Sequence, residues 1–365
     1  MNTTFEPNFA VPPGETLAET LETLGMTQAE LAERMGRPLK TINEIVAGKA
    51  AITSDTALQL ERVLGVPASF WTNHERIYRD TLARHRETDE LEQQLGWLKT
   101  MPVREMVRAG WIVAAEEPVA QLRIVLSFFG VAGVEEWRSL WESPDAIYRK
   151  SPAFTTNRPA TAAWLRQGEL KAQKIDCAPF DEARFGEALG QLRGFTTKDP
   201  DEFVPALRDQ CAGAGVAVVI VPPLPGVRAY GATRWLHSTK ALIQLSLRGK
   251  TDDHLWFTFF HEAAHVLKHG KRAVFVEDGD AKAAARDPRE AEADAFACDL
   301  LIPPADYARF CANDDFSLAA IRRFASRMGI AQGIVAGRLQ HEKKLPFSRA
   351  NQLKRHFRFG PTNES

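Results

Sequence analysis

Apolar positions recur at i, i+3 and i+4 through most of the chain, the period of one helix face. Between residues 14 and 86 the segments LAETLETLG, TQAELAERMG, TINEIVAG and SDTALQLERVLG are short and tightly punctuated. Thr27 and Ser54 stand where N-caps belong, and Thr27 and Glu30 have the spacing of a capping box. Gly25, Gly36, Gly48 and Gly65 stand where C-cap glycines belong. Residues 87–200 keep the helical period in LEQQLGWLKT, PVAQLRIVLSFFG, ATAAWLRQGELKAQ and FGEALGQLRGF, with little proline or glycine between, which predicts a packed helical middle region. The pattern then changes. VAVVIVP (216–222) is a continuous β-branched run, expected as a buried strand, and KALIQLSL (240–247) alternates as a second strand. Helices are predicted again over about 253–269 and 288–301, the second stopped by Pro303-Pro304. The charged, alanine-rich stretch 271–288 between them reads as an exposed loop. The fold class is therefore mainly α with a small β-sheet (α+β). Its expected parts are a loose arm at 1–13, a helical domain at 14–86, the middle region at 87–200, a mixed domain at 201–340 and a basic tail at 341–365. One internal echo stands out: Ala32-Glu33-Arg34-Met35-Gly36 recurs as Ala325-Ser326-Arg327-Met328-Gly329, each followed by a second helical pattern.

Composition narrows the function classes. The chain has 365 residues, 44% hydrophobic and 25% charged, as in a globular protein. A net charge of −1 gives no overall attraction to nucleic acid or to a membrane surface, so such binding needs a local patch. Cys177, Cys211, Cys298 and Cys311 have no metal-ligand spacing, and the N-terminal residues lack the basic and apolar regions of a signal peptide. No continuous apolar run approaches 18 residues, so no membrane span is expected and a reducing cytoplasm is the expected location.

Residues 261–265 read His-Glu-Ala-Ala-His. On a helix, i and i+4 share a face, so His261 and His265 can reach one cation, with Glu262 placed as general base beside an open coordination position. A catalytic zinc needs a third protein ligand. Glu290 and Asp294 share a face of the later helix, a spacing that suits Glu290 as the ligand and Asp294 as acceptor of the outer N–H of a ligand histidine. Glu292 is the alternative ligand, and His269 reads as a surface histidine at a helix C-terminus. Zn2+ is the expected cofactor, although these donors also suit manganese, cobalt or iron. A donor to the oxyanion is needed besides the metal, and Tyr230, His237 and Tyr307 are candidates. The strand at 240–247 is a candidate to bind a substrate backbone by strand addition.

WFTFFHEAAHVLKHG followed by EAEADAFACDLLIPP resembles the ImmA/IrrE metallopeptidases over about residues 205–340. The second motif is carried by Glu290, Ala293, Asp294, Phe296, Ala297, Leu300, Leu301, Ile302 and Pro303. The resemblance implies a gluzincin-like peptidase domain with Glu290 as third ligand. It also implies limited cleavage of a helix-turn-helix repressor or antitoxin in a stress, toxin–antitoxin or phage response. The alternative is a regulator whose peptidase-like domain senses a ligand or partner.

Gln28, Leu31, Ala32, Gly36, Ile42 and Gly48 fit a five-helix DNA-binding module, in which Gly36 makes the turn and the helix after Pro38 enters the major groove. Leu39, Lys40, Thr41, Asn43 and Glu44 are candidates to face bases, and Gln28, Arg37 and Lys49 to reach phosphates. With Pro13-Gly14-Glu15 before it and Phe70-Trp71 after it, the segment resembles HigA-type antitoxins of the XRE class over about residues 12–86. Pro38-Leu39 departs from the serine and long polar residue common there. Residues 1–86 hold nine Lys and Arg against eleven Asp and Glu, a net of −2, so DNA affinity needs a homodimer or help from the tail residues Lys343, Lys344, Arg349, Lys354, Arg355 and Arg358.

Overall fold

The computed structural model describes residues 11–142, 157–270, 275–277 and 287–358. Its chain divides into two compact units, residues 1–96 and 97–365. The first unit contains α1 (Pro13–Thr23), α2 (Gln28–Met35), α3 (Leu39–Val46), α4 (Ser54–Leu64) and α5 (Ala68–Glu92). Their periodic apolar positions close one core of Leu17, Leu21, Leu31, Ile42, Ile45, Ile52, Leu60 and Trp71. Thr27 caps α2 through a reciprocal box with Glu30, at 2.8 and 3.2 Å. Gly36 ends α2 at φ 65° and ψ 34°, a left-handed conformation that costs glycine nothing. At α4 the cap is Thr53, which accepts from Thr56 N, so the expected cap Ser54 is the first helical residue instead. The expected domain end at residue 86 falls inside α5, because neither glycine nor proline interrupts residues 68–95.

The chain enters the second unit within α6 (Leu95–Leu98) and continues through α7 (Val103–Arg108), α8 (Pro118–Phe129) and α9 (Val134–Trp141). The stretch Pro118–Trp141 has the length and mean hydropathy, 1.3, of a spanning segment. Gly130, at φ 68°, breaks it into helices of 12 and 8 residues, each short of the roughly 20 a span needs. Phe129 instead packs edge-on against Trp137 and Trp141.

Next come α10 (Arg158–Gln173), α11 (Glu182–Gly194) and α12 (Pro200–Gly213), then a sheet of β1 (Val216–Ile220), β2 (Gly231–His237), β3 (Lys240–Leu245) and β4 (Phe275–Glu277). The strand order is β1-β3-β2-β4, with β1 and β3 parallel and the other pairs antiparallel. Strand β3 is paired on both edges, to β1 from Val216↔Ala241 and to β2 from Gly231↔Leu245. It therefore has no free edge for strand addition, which corrects that expectation: its alternating pattern does not mark an edge strand, and all six of its residues are buried. The expected exposed loop at 271–288 is also corrected in part. Phe275–Glu277 pairs with β2, and Phe275 and Val276 are buried. Residues 271–274 and 278–286 lie outside the described residues, as does most of the expected arm at 1–13.

One face of the sheet carries α10; the other carries α13 (Asp252–Lys268), flanked by α14 (Pro288–Leu301). The unit closes with α15 (Pro304–Ala312), α16 (Leu318–Met328) and α17 (Gln332–His341). The echo in sequence is an echo in backbone. Gly329 ends α16 at φ 66° and ψ 34°, and Ala331 starts α17 at φ −65° and ψ 143°, close to Pro38 at φ −60° and ψ 138° before α3. The fates of the two second helices differ: Ile334, Val335, Ala336 and Leu339 of α17 are buried against the core. Gly333 of α17 meets Asp252 so closely that a Cβ would lie 2.1 Å from Oδ1.

The expected basic tail is folded over residues 341–358. Leu345, Ala350, Leu353 and Phe357 enter the core. Lys354 pairs with Asp253 at 2.6 Å, and Arg355 donates its N–H to Asp252 Oδ1 at 3.1 Å. The Arg355 guanidinium donates to the carbonyls of Thr196, Thr197 and Lys198. Lys354 and Arg355 are thus engaged at the start of α13, while Lys343, Lys344, Arg349 and Arg358 are exposed.

Candidate metal centre and helix-turn-helix surface

The helical period of α13 sets His261, His265 and His269 in one ladder, with successive ring centroids 4.8 Å apart. Helix α14 packs beside it and brings Glu290 to the first two rings. His261 Nε2 and His265 Nε2 lie 3.0 Å apart, and Glu290 Oε2 lies 3.1 Å and 3.5 Å from them. Three ligand atoms at tetrahedral corners about 2.0–2.1 Å from a cation stand roughly 3.3 Å apart. The triangle therefore fits a small cation, and both imidazole side chains are buried. Burial holds the His265 imidazole down to about 4, so it is uncharged at neutral pH, as a ligand must be. Burial pushes the Glu290 carboxyl up, but the two imidazoles of His261 and His265 facing it outweigh this and hold the group below the ordinary carboxylate range.

Asp294, one turn after Glu290, places Oδ1 2.9 Å from His261 Nδ1. His261 thus has a carboxylate on its outer nitrogen and its inner nitrogen toward the other donors. Glu262 is wholly buried. Its side chain lies against Gly231 of β2, where an added Cβ would come within 2.7 Å of Glu262 Oε1 and 2.6 Å of Thr258 Cγ2. Thr233, two residues on, donates its hydroxyl to Glu262 O at 3.0 Å. The sheet therefore fixes the position of this carboxylate.

Two sequence-level assignments change. Glu292 points outward, accepting from Lys268 Nζ at 3.0 Å and lying 3.1 Å from His269 Nε2. It is not with the donors, because on a helix it is turned about 200° from Glu290. His269 is not a surface histidine: its side chain is 4% exposed, with Nδ1 2.7 Å from His265 Nδ1. The sequence reading also passed over Phe275, which stacks on the His265 ring at 3.8 Å and 14°, and Gly231. For His269 a signal was present, since it continues the i, i+4 series. For the other two it was not, because their roles arise only when β2 and β4 pair.

The oxyanion candidates separate. His237 is exposed, bonds Thr239 and lies six residues along β2 from Gly231, about 20 Å away. Tyr307 donates to Glu342 at 3.0 Å beneath the Arg338 guanidinium. Tyr230 adjoins Gly231, its ring stacked on His254 and under Arg248.

On the helix-turn-helix, α3 buries Ile42 and Ile45 and turns Leu39, Lys40 and Asn43 outward at its N-terminal end. Lys40 lies 3.8 Å from Glu44. Lys49 is exposed, while Gln28 and Thr41 are half-buried. Arg37 is half-buried and donates to Gln59 Oε1 at 2.5 Å, which draws it toward α4.

Residues 17–71 match the helix-turn-helix family, and residues 218–340 match the IrrE N-terminal-like domain. The chain is 40% identical over 70 residues to virulence-associated protein I of Dichelobacter nodosus, across 19% of this chain and 65% of that protein. Virulence-associated protein A of the same organism is 33% identical over 88 residues, across 24% of this chain and 82% of that protein. Among solved structures, an addiction module antidote protein of a HigA family from Coxiella burnetii is 33% identical, with 23% of this chain and 92% of that chain covered and a TM-score of 0.22.

Proposed function

We propose, for a chain that belongs to the helix-turn-helix family through residues 17–71 and carries an IrrE N-terminal-like domain at 218–340, the function of a zinc-dependent endopeptidase directed by a DNA-binding domain. The observation that carries this reading is the convergence of His261, His265 and Glu290 on one point, with Glu262 next to His261 on the helix of the two histidines. These three side chains would hold the cation, which when bound supplies Lewis acidity toward water and a peptide carbonyl. Glu262 takes the proton of the attacking water and passes it to the leaving amine. Asp294 keeps the His261 Nδ1 proton pointed outward, so that its Nε2 lone pair faces the cation. Tyr230, adjacent in sequence to Gly231, is the oxyanion donor proposed.

The proposed substrate is a helix-turn-helix repressor or antitoxin, and the proposed place of action is the cytoplasm, in a stress, toxin–antitoxin or phage-response switch. The outward Leu39, Lys40 and Asn43 support base contact in a major groove, and because residues 1–86 carry a net charge of −2, binding as a homodimer is proposed to supply the missing affinity. The test is co-expression with such a partner protein. The wild-type chain cuts it; Glu262→Gln retains zinc and leaves it intact. Equal processing by Glu262→Gln removes the peptidase reading and leaves a regulator that senses through the same fold.

A further inference from the structure

The two histidines of the centre are not held alike. His261 leans on the Asp294 carboxylate, whereas the outer nitrogen of His265 faces another imidazole, that of His269, at 2.7 Å. His269 is the C-cap residue of α13, one turn beyond His265, and its side chain is almost fully buried. Its contact is with His265 Nδ1, whereas Glu290 faces His265 Nε2, so His269 is not placed to be a ligand.

We infer that His269, anchored by Glu292, is the positioning residue that fixes the tautomer and orientation of His265. The protons determine the arrangement. To give its Nε2 lone pair to a cation, neutral His265 must carry its one ring proton on Nδ1. That proton has His269 Nδ1 as its acceptor. His269 must then carry its own proton on Nε2, where Glu292 Oε2 accepts it at 3.1 Å. Lys268 Nζ donates to Glu292 Oε1 at 3.0 Å and holds the carboxylate in place. Each neutral ring has one donor and one acceptor, and each is used once. Phe275 completes the clamp, stacked on His265 at 3.8 Å and 5.4 Å from the His269 ring, with the Arg289 guanidinium 5.0 Å from its centre. The hydrogen bond sets which nitrogen is free; the stacked ring sets where it points.

This inference rests on the metal-centre reading, and metal affinity tests the two separately. Zinc dissociation constants of the full chain are measured by competition with a chromophoric chelator, beside thermal unfolding of the metal-free protein. His269→Ala weakens zinc about 10–100-fold, the usual cost of losing such a partner. His269→Gln, whose amide oxygen accepts the same proton, recovers most of that loss. Glu292→Ala, which removes the acceptor at a half-exposed site outside the core, weakens zinc in the same direction by less, and it carries the test if His269→Ala does not fold. Zinc binding by His269→Ala equal to wild type overturns the inference. So does a loss in His269→Gln as large as that in His269→Ala, or unchanged binding by Glu292→Ala. If the wild-type chain takes up no zinc, the metal centre itself is wrong and this role falls with it.

Discussion

Glu262 and Gly231 meet across the boundary between helix and sheet, and the contact leaves no room for a side chain on the strand. The position of the proposed base is thus set by a residue 31 places away in the chain that has no functional group. Gly231→Ala must push either the carboxylate or β2 aside. Displacement of a reacting group by about 1 Å can cost on the order of 100-fold in rate. Cleavage of the partner protein is expected to fall at least tenfold while zinc content stays at wild type, since the atoms nearest a Cβ at Gly231 belong to Thr258 and Glu262. Full activity in Gly231→Ala would show that the base tolerates movement. At this scale the sequence was legible where function follows the period of one helix: His261 with His265, and Glu290 with Asp294. It was silent at Gly231 and Phe275, whose neighbours come from other elements. It was misread at His269, where a position at the helix end suggested exposure, whereas its side chain is a buried third step of the same ladder.

Elements were legible in proportion to how evenly they are buried. The run at 216–222 reads as a strand because both faces of β1 are covered. Strand β2, GATRWLH, mixes buried and half-exposed positions and carries no clear period, and β4 is three residues inside a charged stretch. The start of α13 shows what composition hides. Acidic residues there suit the helix dipole, yet Asp252 is fully buried beneath Gly333 and the chain at Arg355. Burial, reinforced by Asp253, pushes the Asp252 carboxyl up to about 6. In an unfolded chain the value is about 3.9. Between these values the folded state holds the proton and the unfolded state does not. The contribution of this group is therefore full below about pH 4 and is lost as pH rises to 6, by up to about 3 kcal/mol. His265, held down to about 4, acts in the opposite sense over a similar window, so the wild-type curve alone does not isolate the effect. Asp252→Asn removes only the first. Its stability relative to wild type, from urea midpoints of metal-free protein, is expected to rise by about 1–3 kcal/mol between pH 4 and pH 7. A constant offset across that range would mean that Asp252 is ionised throughout.

The molecule divides its tasks between two units, and the division allows a direct test. The three proposed metal donors lie in residues 97–365, and the outward face of α3 lies in residues 1–96. A fragment of residues 97–365 is expected to bind zinc as tightly as the full chain and to leave an operator-like duplex unshifted in a gel. The full chain is expected to retard the duplex in a salt-sensitive way, as contacts to phosphates require. Retardation by the fragment would place the DNA surface elsewhere. That the fragment retains α16 and α17 gives the comparison its force. The chain folds one supersecondary turn twice. In the first copy a helix with Leu39, Lys40 and Asn43 outward is left free to read; in the second, glycines and alanines let the matching helix sink against α13. A motif search that scores only the bend would count two reading heads here. One of them is a brace, and the size of the side chains beyond the bend decides which.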